Sequence, residues 1–103
     1  MPTYILLSNL TDEGLETIQT RPDRIKQVNE EIEALGARVV EQWATLGPYD
    51  FINIVEAPDN ETIARVSVTL GSRGTVKFLT MPAIPIDEFI DGISPKDDGA
   101  PTG

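Results

Sequence analysis

Apolar residues along this chain recur at two different spacings, one typical of strands and one typical of helices. Residues 3–8 form a short β-rich apolar run, which predicts a central strand buried on both faces. Thr11 and the two acids after it predict the start of a helix, and Pro22 interrupts that helix. A second helix is predicted from Pro22 to Gly36. Its apolar positions recur at helical spacing: Ile25, Val28, Ile32 and Leu35.

The middle of the chain predicts a hairpin followed by a helix. Two β-type runs, residues 37–46 and 50–57, are separated by a turn that begins with Gly47-Pro48, so they are expected to pair. Residues 58–70 open with Asp59 or Asn60 as the helix cap and then carry apolar positions at helical spacing, which favours a helix. Apolar and polar residues also alternate toward the end of this segment, which leaves a strand as the alternative.

The remaining elements complete a recognisable order. Residues 75–81 predict a last strand and residues 86–93 a short terminal helix. The order β-α-β-β-α-β predicts an α+β protein of the ferredoxin-like type, with a four-stranded antiparallel sheet and two helices on one face. Residues 1–93 are expected to form a single domain. Residues 94–103 have no apolar anchor and are expected to be a disordered tail.

Composition narrows the possible functions. Seventeen acidic residues against eight basic ones give a formal net charge of -9, and histidine and cysteine are absent. The scattered basic residues argue against nucleic acid binding. Without cysteine and histidine there are no disulfides, no thiolate or imidazole catalysis and no Cys/His zinc site. No apolar run is long enough for a membrane span or a signal peptide. We therefore expect a cytoplasmic protein that needs no cofactor and binds no membrane.

Strand alternation divides each predicted strand between a helix-covered face and an open face. We assign to the helices Ile5, Leu7, Val40, Ile52, Ile54, Val76 and Phe78. The open face then carries Tyr4, Leu6, Ser8, Val39, Glu41, Trp43, Phe51, Asn53, Val55, Thr75, Lys77 and Leu79. This face is too apolar to be left in water, so we predict a homo-oligomer in which a second copy covers it. A register error of one residue would exchange the two faces.

A cavity between two such sheets is the predicted small-molecule site, and a plain interface without a ligand is the alternative. Its predicted lining is Tyr4, Glu41, Trp43, Phe51, Asn53 and Lys77, with Tyr49 and Asp50 at its rim. Turn chemistry alone also explains Tyr49 and Asp50, because an aspartate in a turn accepts backbone N–H groups. Loop residues are nevertheless often recruited for binding.

The segment Gly71-Ser72-Arg73-Gly74 combines glycines with an arginine, as anion sites do. It follows a predicted helix C-terminus, where the helix dipole repels anions, and it lacks the spacing of a phosphate loop. We interpret it as a cap and turn whose Arg73 can still reach a ligand carboxylate. The acids of the second helix lie on its solvent side, so no metal site is predicted.

Six short motifs stand in a fixed order along the chain. They are Met1-Pro2-Thr3-Tyr4, Arg21-Pro22-Asp23-Arg24-Ile25, Leu46-Gly47-Pro48-Tyr49-Asp50-Phe51, Val55-Glu56-Ala57-Pro58-Asp59, Ser72-Arg73-Gly74-Thr75 and Met81-Pro82-Ala83-Ile84-Pro85. Together they resemble the GYD domain family, whose Gly-x-Tyr-Asp motif maps onto Gly47, Tyr49 and Asp50. The resemblance extends to about Ile90 and implies a small prokaryotic protein of the ferredoxin-like, dimeric α/β-barrel type. It implies no particular activity.

Three functions are compatible with these patterns. The leading interpretation is a non-catalytic homo-oligomer that binds a small molecule or another protein through the open face. The alternative is a cofactor-independent enzyme for an apolar or aromatic substrate, with Glu41 or Asp50 as base and Lys77, Arg73 or Tyr49 stabilising negative charge. A trimeric nucleotide-sensing regulator is disfavoured, because it needs a basic cluster that the scattered arginines do not form.

Overall fold

A computed structural model describes residues 1–95 of the chain. Its elements are β1 Thr3–Leu10, α1 Asp12–Thr20, α2 Arg24–Ala34, β2 Arg38–Ala44, β3 Phe51–Glu56, α3 Asn60–Gly71, β4 Val76–Ala83 and α4 Ile86–Ile93. The predicted α+β class is confirmed, and the first crossover contains two helices, α1 and α2. The predicted tail begins at residue 94, and its residues 96–103 lie outside the described part of the chain.

The four strands form one antiparallel sheet in the order β2-β3-β1-β4. β1 and β3 are therefore central, and β2 and β4 are the two edges. β2 and β3 pair as the predicted hairpin. α2 ends at a turn in which Gly36 has a φ of 102°, a conformation that glycine adopts without steric cost.

Polar side chains cap two of the helices. Thr11 Oγ1 accepts the Gly14 N–H at 3.2 Å, and Asp59 Oδ1 accepts the Thr62 N–H at 2.8 Å, as the sequence predicts for both caps. Hydrogen bonds from the Thr62 hydroxyl and the Thr62 N–H lower the pKa of Asp59 below its ordinary value. α2 begins at Arg24, two residues later than the proline that was expected to open it.

The core lies mainly between α3 and the central strands. It consists of Tyr4, Leu6, Ile32, Ala37, Val55, Ala57, Ile63, Val66 and Leu70. The spacing of the three α3 members is helical, so this segment is the predicted helix and not the alternative strand. In α1 the buried residue is Gly14, and in α2 it is Ile32. The sheet is therefore covered more loosely under α1 and α2 than under α3.

The predicted division of β1 and β3 between the two faces is wrong by one residue. Tyr4, Phe51 and Asn53 lie on the helix-covered face, and Tyr4 and Asn53 are buried there. Leu6, Ser8 and Val55 lie on the same face, whereas Ile5, Leu7, Ile52 and Ile54 lie on the open face. β1 is apolar on both sides, so its pattern carries no information about which side the helices cover.

A β-bulge changes the alternation partway along β2. The register with β3 shifts between Val39 and Glu41, so Val39 packs against the core while Glu41 and Trp43 lie on the open face. The open-face placement predicted for Glu41 and Trp43 is confirmed, and that of Val39 is wrong. Val40, which was assigned to the helices, lies in the bulge and is largely exposed.

Candidate functional site

The open face carries a continuous apolar patch that spans all four strands. One row of cross-strand neighbours is Trp43, Ile52, Leu7 and Leu79. The adjacent row is Glu41, Ile54, Ile5 and Met81. We call the apolar members of these two rows the open-face patch. Trp43 is 51% exposed and Leu79 is 45% exposed, so the patch faces solvent in the single chain.

Glu41 and Lys77 lie on opposite edges of the sheet. Glu41 is on β2 and Lys77 is on β4, three strand spacings away, so their backbones are at least about 14 Å apart. Glu41 and Lys77 therefore do not meet within one chain, and no ion pair joins them among residues 1–95. At one end of the face Arg38 donates to Glu56 at 2.6 Å, which lowers the pKa of Glu56.

α4 presents a second apolar surface. Its stripe consists of Ile86, Phe89, Ile90 and Ile93, at the spacing i, i+3, i+4 and i+7 that defines one face of a helix. None of the residues of α4 is buried, and all four members of the stripe are between 45% and 67% exposed. We call these residues the α4 stripe. The sequence predicts this helix, and the spacing of its apolar residues was the available signal for the stripe.

A cavity of about 240 Å³ lies on the other side of the sheet, under α1 and α2. Its apolar walls are Leu6, Leu10, Ile18, Ile25, Val28, Ile32, Phe51, Leu70, Val76 and Phe78. We call it the helix-side cavity. Phe51 and Asn53, two of the predicted ligand residues, line it, and so does Thr75. These residues therefore meet at a cavity, but on the side of the sheet opposite to the predicted one.

A chain of side-chain amides forms one polar part of the cavity wall. The Gln42 amide donates to Asn53 Oδ1 at 2.8 Å, and the Asn53 amide donates to the Leu6 carbonyl at 2.8 Å. Gln42 and Asn29 exchange hydrogen bonds of 2.9 and 3.3 Å. Asn53 is buried, and these hydrogen bonds pair its amide group, as buried polar groups require.

Arg24 and Arg73 form the charged part of the wall, and Glu31 joins them. Arg24 Nη1 donates to Glu31 Oε1 at 2.8 Å, and Arg73 Nη1 donates to Glu31 Oε2. Burial raises the pKa of Glu31, but the hydrogen bonds from Arg73 and Arg24 lower it by more, so the net shift is downward. Two guanidinium groups share one carboxylate, which leaves this cluster with one net positive charge.

The turn between β2 and β3 is hydrogen-bonded to the end of β1. Asp50 Oδ2 accepts the Leu10 N–H at 2.8 Å, and the Asp50 N–H donates to the Ser8 carbonyl at 2.9 Å. The Thr45 hydroxyl donates to the Tyr49 carbonyl at 2.6 Å. Asp50 thus has a structural partner on β1. A ligand-binding role for Tyr49 and Asp50 stays a prediction.

Tyr4, the last of the predicted site residues, belongs to the core. Its side chain is buried, and its hydroxyl donates to Asn60 Oδ1 at 2.6 Å at the start of α3. The eight predicted residues are therefore not brought to one site. The sequence did not point to three of the cavity residues, Arg24, Asn29 and Gln42. The first two lie on α2 and Gln42 lies on the bulged edge strand β2, and no motif indicates that they converge.

No helix of residues 1–95 is long and apolar enough to cross a membrane. Within the same residues no group of three acidic side chains is placed to hold a metal ion.

Comparison with known proteins identifies close relatives. The model of the GYD domain family matches residues 4–93. A protein of Thermus thermophilus named "Glutamine synthetase and cystathionine beta-lyase binding protein" is 56% identical over 91 residues, which is 87% of this chain and 96% of that protein.

Two solved structures are similar in fold. TTHA0845 from Thermus thermophilus is 25% identical with a TM-score of 0.52, over 82% of this chain and 95% of that chain. The protein FFRP-DM1 is 22% identical with a TM-score of 0.53, over 82% of this chain and 100% of that chain. The second likeness concerns the fold alone.

Proposed function

The chain belongs to the GYD domain family, and we propose that it is a non-catalytic, homo-oligomeric binding protein whose partners are metabolic enzymes. The observation that carries this proposal is the presence of two uncovered apolar surfaces on one small chain, the open-face patch and the α4 stripe. Surfaces of this kind usually mark protein interfaces. The two surfaces suit two different occupants.

We assign the open-face patch to a second copy of the chain. A two-fold axis would bring the same patch of both copies together as an isologous interface, with the two sheets packed face to face. Fully burying a large apolar side chain contributes about 1.5–3 kcal/mol. The patch has enough such side chains, among them Trp43 and Leu79, to offset the roughly 4–15 kcal/mol that association costs.

We assign the α4 stripe to the enzyme partner. An amphipathic helix that docks in a hydrophobic groove presents anchors at i, i+3, i+4 and i+7, and the stripe has this spacing from Ile86 to Ile93. The polar side of α4 is acidic, with Asp87, Glu88 and Asp91. It therefore suits a groove with basic side chains at its rim.

The Thermus thermophilus relative supports the choice of partner. It is named for binding glutamine synthetase and cystathionine beta-lyase, and the family match includes α4. We therefore infer that this chain binds a glutamine synthetase, a cystathionine beta-lyase or both from its own organism. Such partners would place the protein in the cytoplasm.

The test separates the two surfaces with two charge-introducing variants. Leu79→Glu alters the open-face patch, Phe89→Asp alters the α4 stripe, and Leu46→Asp serves as a control at a fully exposed apolar residue in the turn. Light scattering gives the oligomeric state, and biosensor titration with purified glutamine synthetase and cystathionine beta-lyase gives the affinity. Circular dichroism checks that each variant is folded.

We expect Leu79→Glu to dissociate the oligomer and Phe89→Asp to weaken enzyme binding while the oligomer persists. Leu46→Asp should change neither. If Phe89→Asp dissociates the oligomer instead, α4 belongs to the interface between copies. If the wild-type chain binds neither enzyme, the proposed partners are wrong.

A further inference from the structure

We propose that the helix-side cavity is a binding site for a small apolar carboxylate, held by Arg24 and Arg73. This site is separate from the open-face patch and from the α4 stripe, because it lies on the helix-covered side of the sheet. The inference does not depend on the enzyme partners proposed above.

The shape and walls of the cavity define the body of the ligand. Its volume of about 240 Å³ falls slightly below the range of about 300–1,000 Å³ found for pockets of drug-sized ligands. The walls are mostly aliphatic and aromatic, with Phe51 and Phe78 among them. Water that lies against these apolar walls gains few hydrogen bonds from them. A compact apolar group fits both the size and the chemistry.

The arginines define the head group. The hydrogen bonds that Arg24 donates to Gln27 and Glu31, and the one that Arg73 donates to Glu31, all use Nη1. Within residues 1–95 no protein group accepts a hydrogen bond from Nε or Nη2 of either arginine, so these groups are available to a ligand. A guanidinium presents these groups as a planar fork that matches a carboxylate.

Glu31 shows that the two arginines can bracket one carboxylate. Its two oxygens each accept from a different guanidinium, so the spacing of Arg24 and Arg73 already suits this group. Because one carboxylate leaves one positive charge uncompensated, a second carboxylate from a ligand would neutralise the cluster. A neutral or cationic head group would gain nothing comparable.

The amide chain does not determine which head group the cavity binds. Asn29, Gln42 and Asn53 donate and accept among themselves and to the Leu6 carbonyl. Their hydrogen-bonding capacity is largely used within the wall, so they contribute orientation and polarity more than charge. The selective element of the site is therefore the arginine pair.

The experiment titrates the full chain with sodium 3-phenylpropionate and, separately, with the neutral 3-phenylpropionamide. Methyl-detected NMR follows Ile18, Val28 and Val76 in the cavity wall, with Ile93 of α4 as a distant reference. We expect the acid to shift the cavity methyl groups saturably. The amide should bind about 10- to 100-fold more weakly, because it lacks the charge-assisted hydrogen bonds.

Variants then test the arginines. Arg73→Gln and Arg24→Gln should each reduce the affinity for the acid about tenfold or more and leave that for the amide nearly unchanged. Arg65→Gln, an exposed arginine of α3 that does not line the cavity, is the matched control. Equal binding of acid and amide, shifts confined to the reference methyl group, or an unchanged affinity in Arg73→Gln would overturn the proposal.

Discussion

The carboxylate of Asp50 accepts the backbone N–H of Leu10 at 2.8 Å, so the turn after β2 is joined to the last residue of β1. Residue 50 and residue 10 are far apart in the sequence, and β1 is a central strand. The hydrogen bond therefore closes one end of the sheet. The aspartate of the Gly-x-Tyr-Asp motif thus makes a hydrogen bond within the fold that requires no ligand.

Asp50→Ala should lower the free energy of unfolding by about 1–3 kcal/mol, because it leaves the Leu10 N–H without its acceptor. Asp50→Asn is the matched control, since an amide oxygen in the same position can still accept this hydrogen bond. Urea unfolding of both variants measures the difference. Equal stability of Asp50→Ala and the wild type would show that the hydrogen bond contributes nothing to the fold.

Gly14→Ala should destabilise the chain strongly. A Cβ at this position would lie 2.0 Å from the carbonyl oxygen of Thr75, and overpacking of this kind costs about 1–3 kcal/mol or more. Gly71→Ala is the control, because a Cβ there meets nothing within 4 Å and alanine favours a helix. Thermal unfolding should show a lower midpoint for Gly14→Ala and an equal or higher one for Gly71→Ala.

The order of elements was predictable because each helix and strand has a local signal. Thr11 and Asp59 indicated where their helices begin, and both side chains form the expected cap. The glycine and proline between β2 and β3 predicted the hairpin. Such signals act within a few residues, so they can be read without knowledge of the tertiary structure.

The faces of the sheet were not predictable in the same way. β1 is apolar on both sides. The bulge between Val39 and Glu41 changes the face on which the later residues of β2 lie, and no sequence pattern indicates this bulge. Strand alternation placed Asn53 on the open face, yet it is buried on the helix-covered face and paired with Gln42 and Leu6. The helix-side cavity depends on these same contacts, so its location could only be found in the tertiary structure.

The stability of the chain should depend on pH through Glu31. Its pKa in the folded chain lies below the ordinary value of 4.5, so its ion pairs stabilise the fold above that pH and are lost as the pH falls through the folded-state pKa. Glu31→Gln should therefore cost stability at about pH 7 and progressively less as the pH falls below 4.5. Urea unfolding at several pH values measures this change.

Glu33→Gln is the control for Glu31→Gln, because it removes one charge from an exposed position on the same helix. Within residues 1–95 Glu33 makes no ion pair. If the two variants lose the same stability at every pH, the contacts of Glu31 with Arg24 and Arg73 do not contribute to the fold.

Trp43→Ala should weaken self-association while leaving the fold of each chain nearly intact. Trp43 is 51% exposed in the single chain, so most of what it would gain by burial comes from the second copy. Truncating a large aromatic residue that is buried in an interface costs about 2 kcal/mol or more, which corresponds to a dissociation constant raised roughly 30-fold. Sedimentation equilibrium over a dilution series measures this constant, with Leu46→Ala as the control for loss of an exposed apolar side chain.

The fluorescence of Trp43 gives an independent readout of the same interface, because the chain has one tryptophan. If the open-face patch packs against a second copy, the indole leaves water on association, and its emission should shift to longer wavelength as the wild-type protein is diluted. The charged residues Lys77 and Glu41 lie at the edges of this face. Added salt should therefore change the dissociation constant less than Trp43→Ala does. An emission spectrum that is constant across the dissociation seen by sedimentation would place the interface elsewhere on the chain.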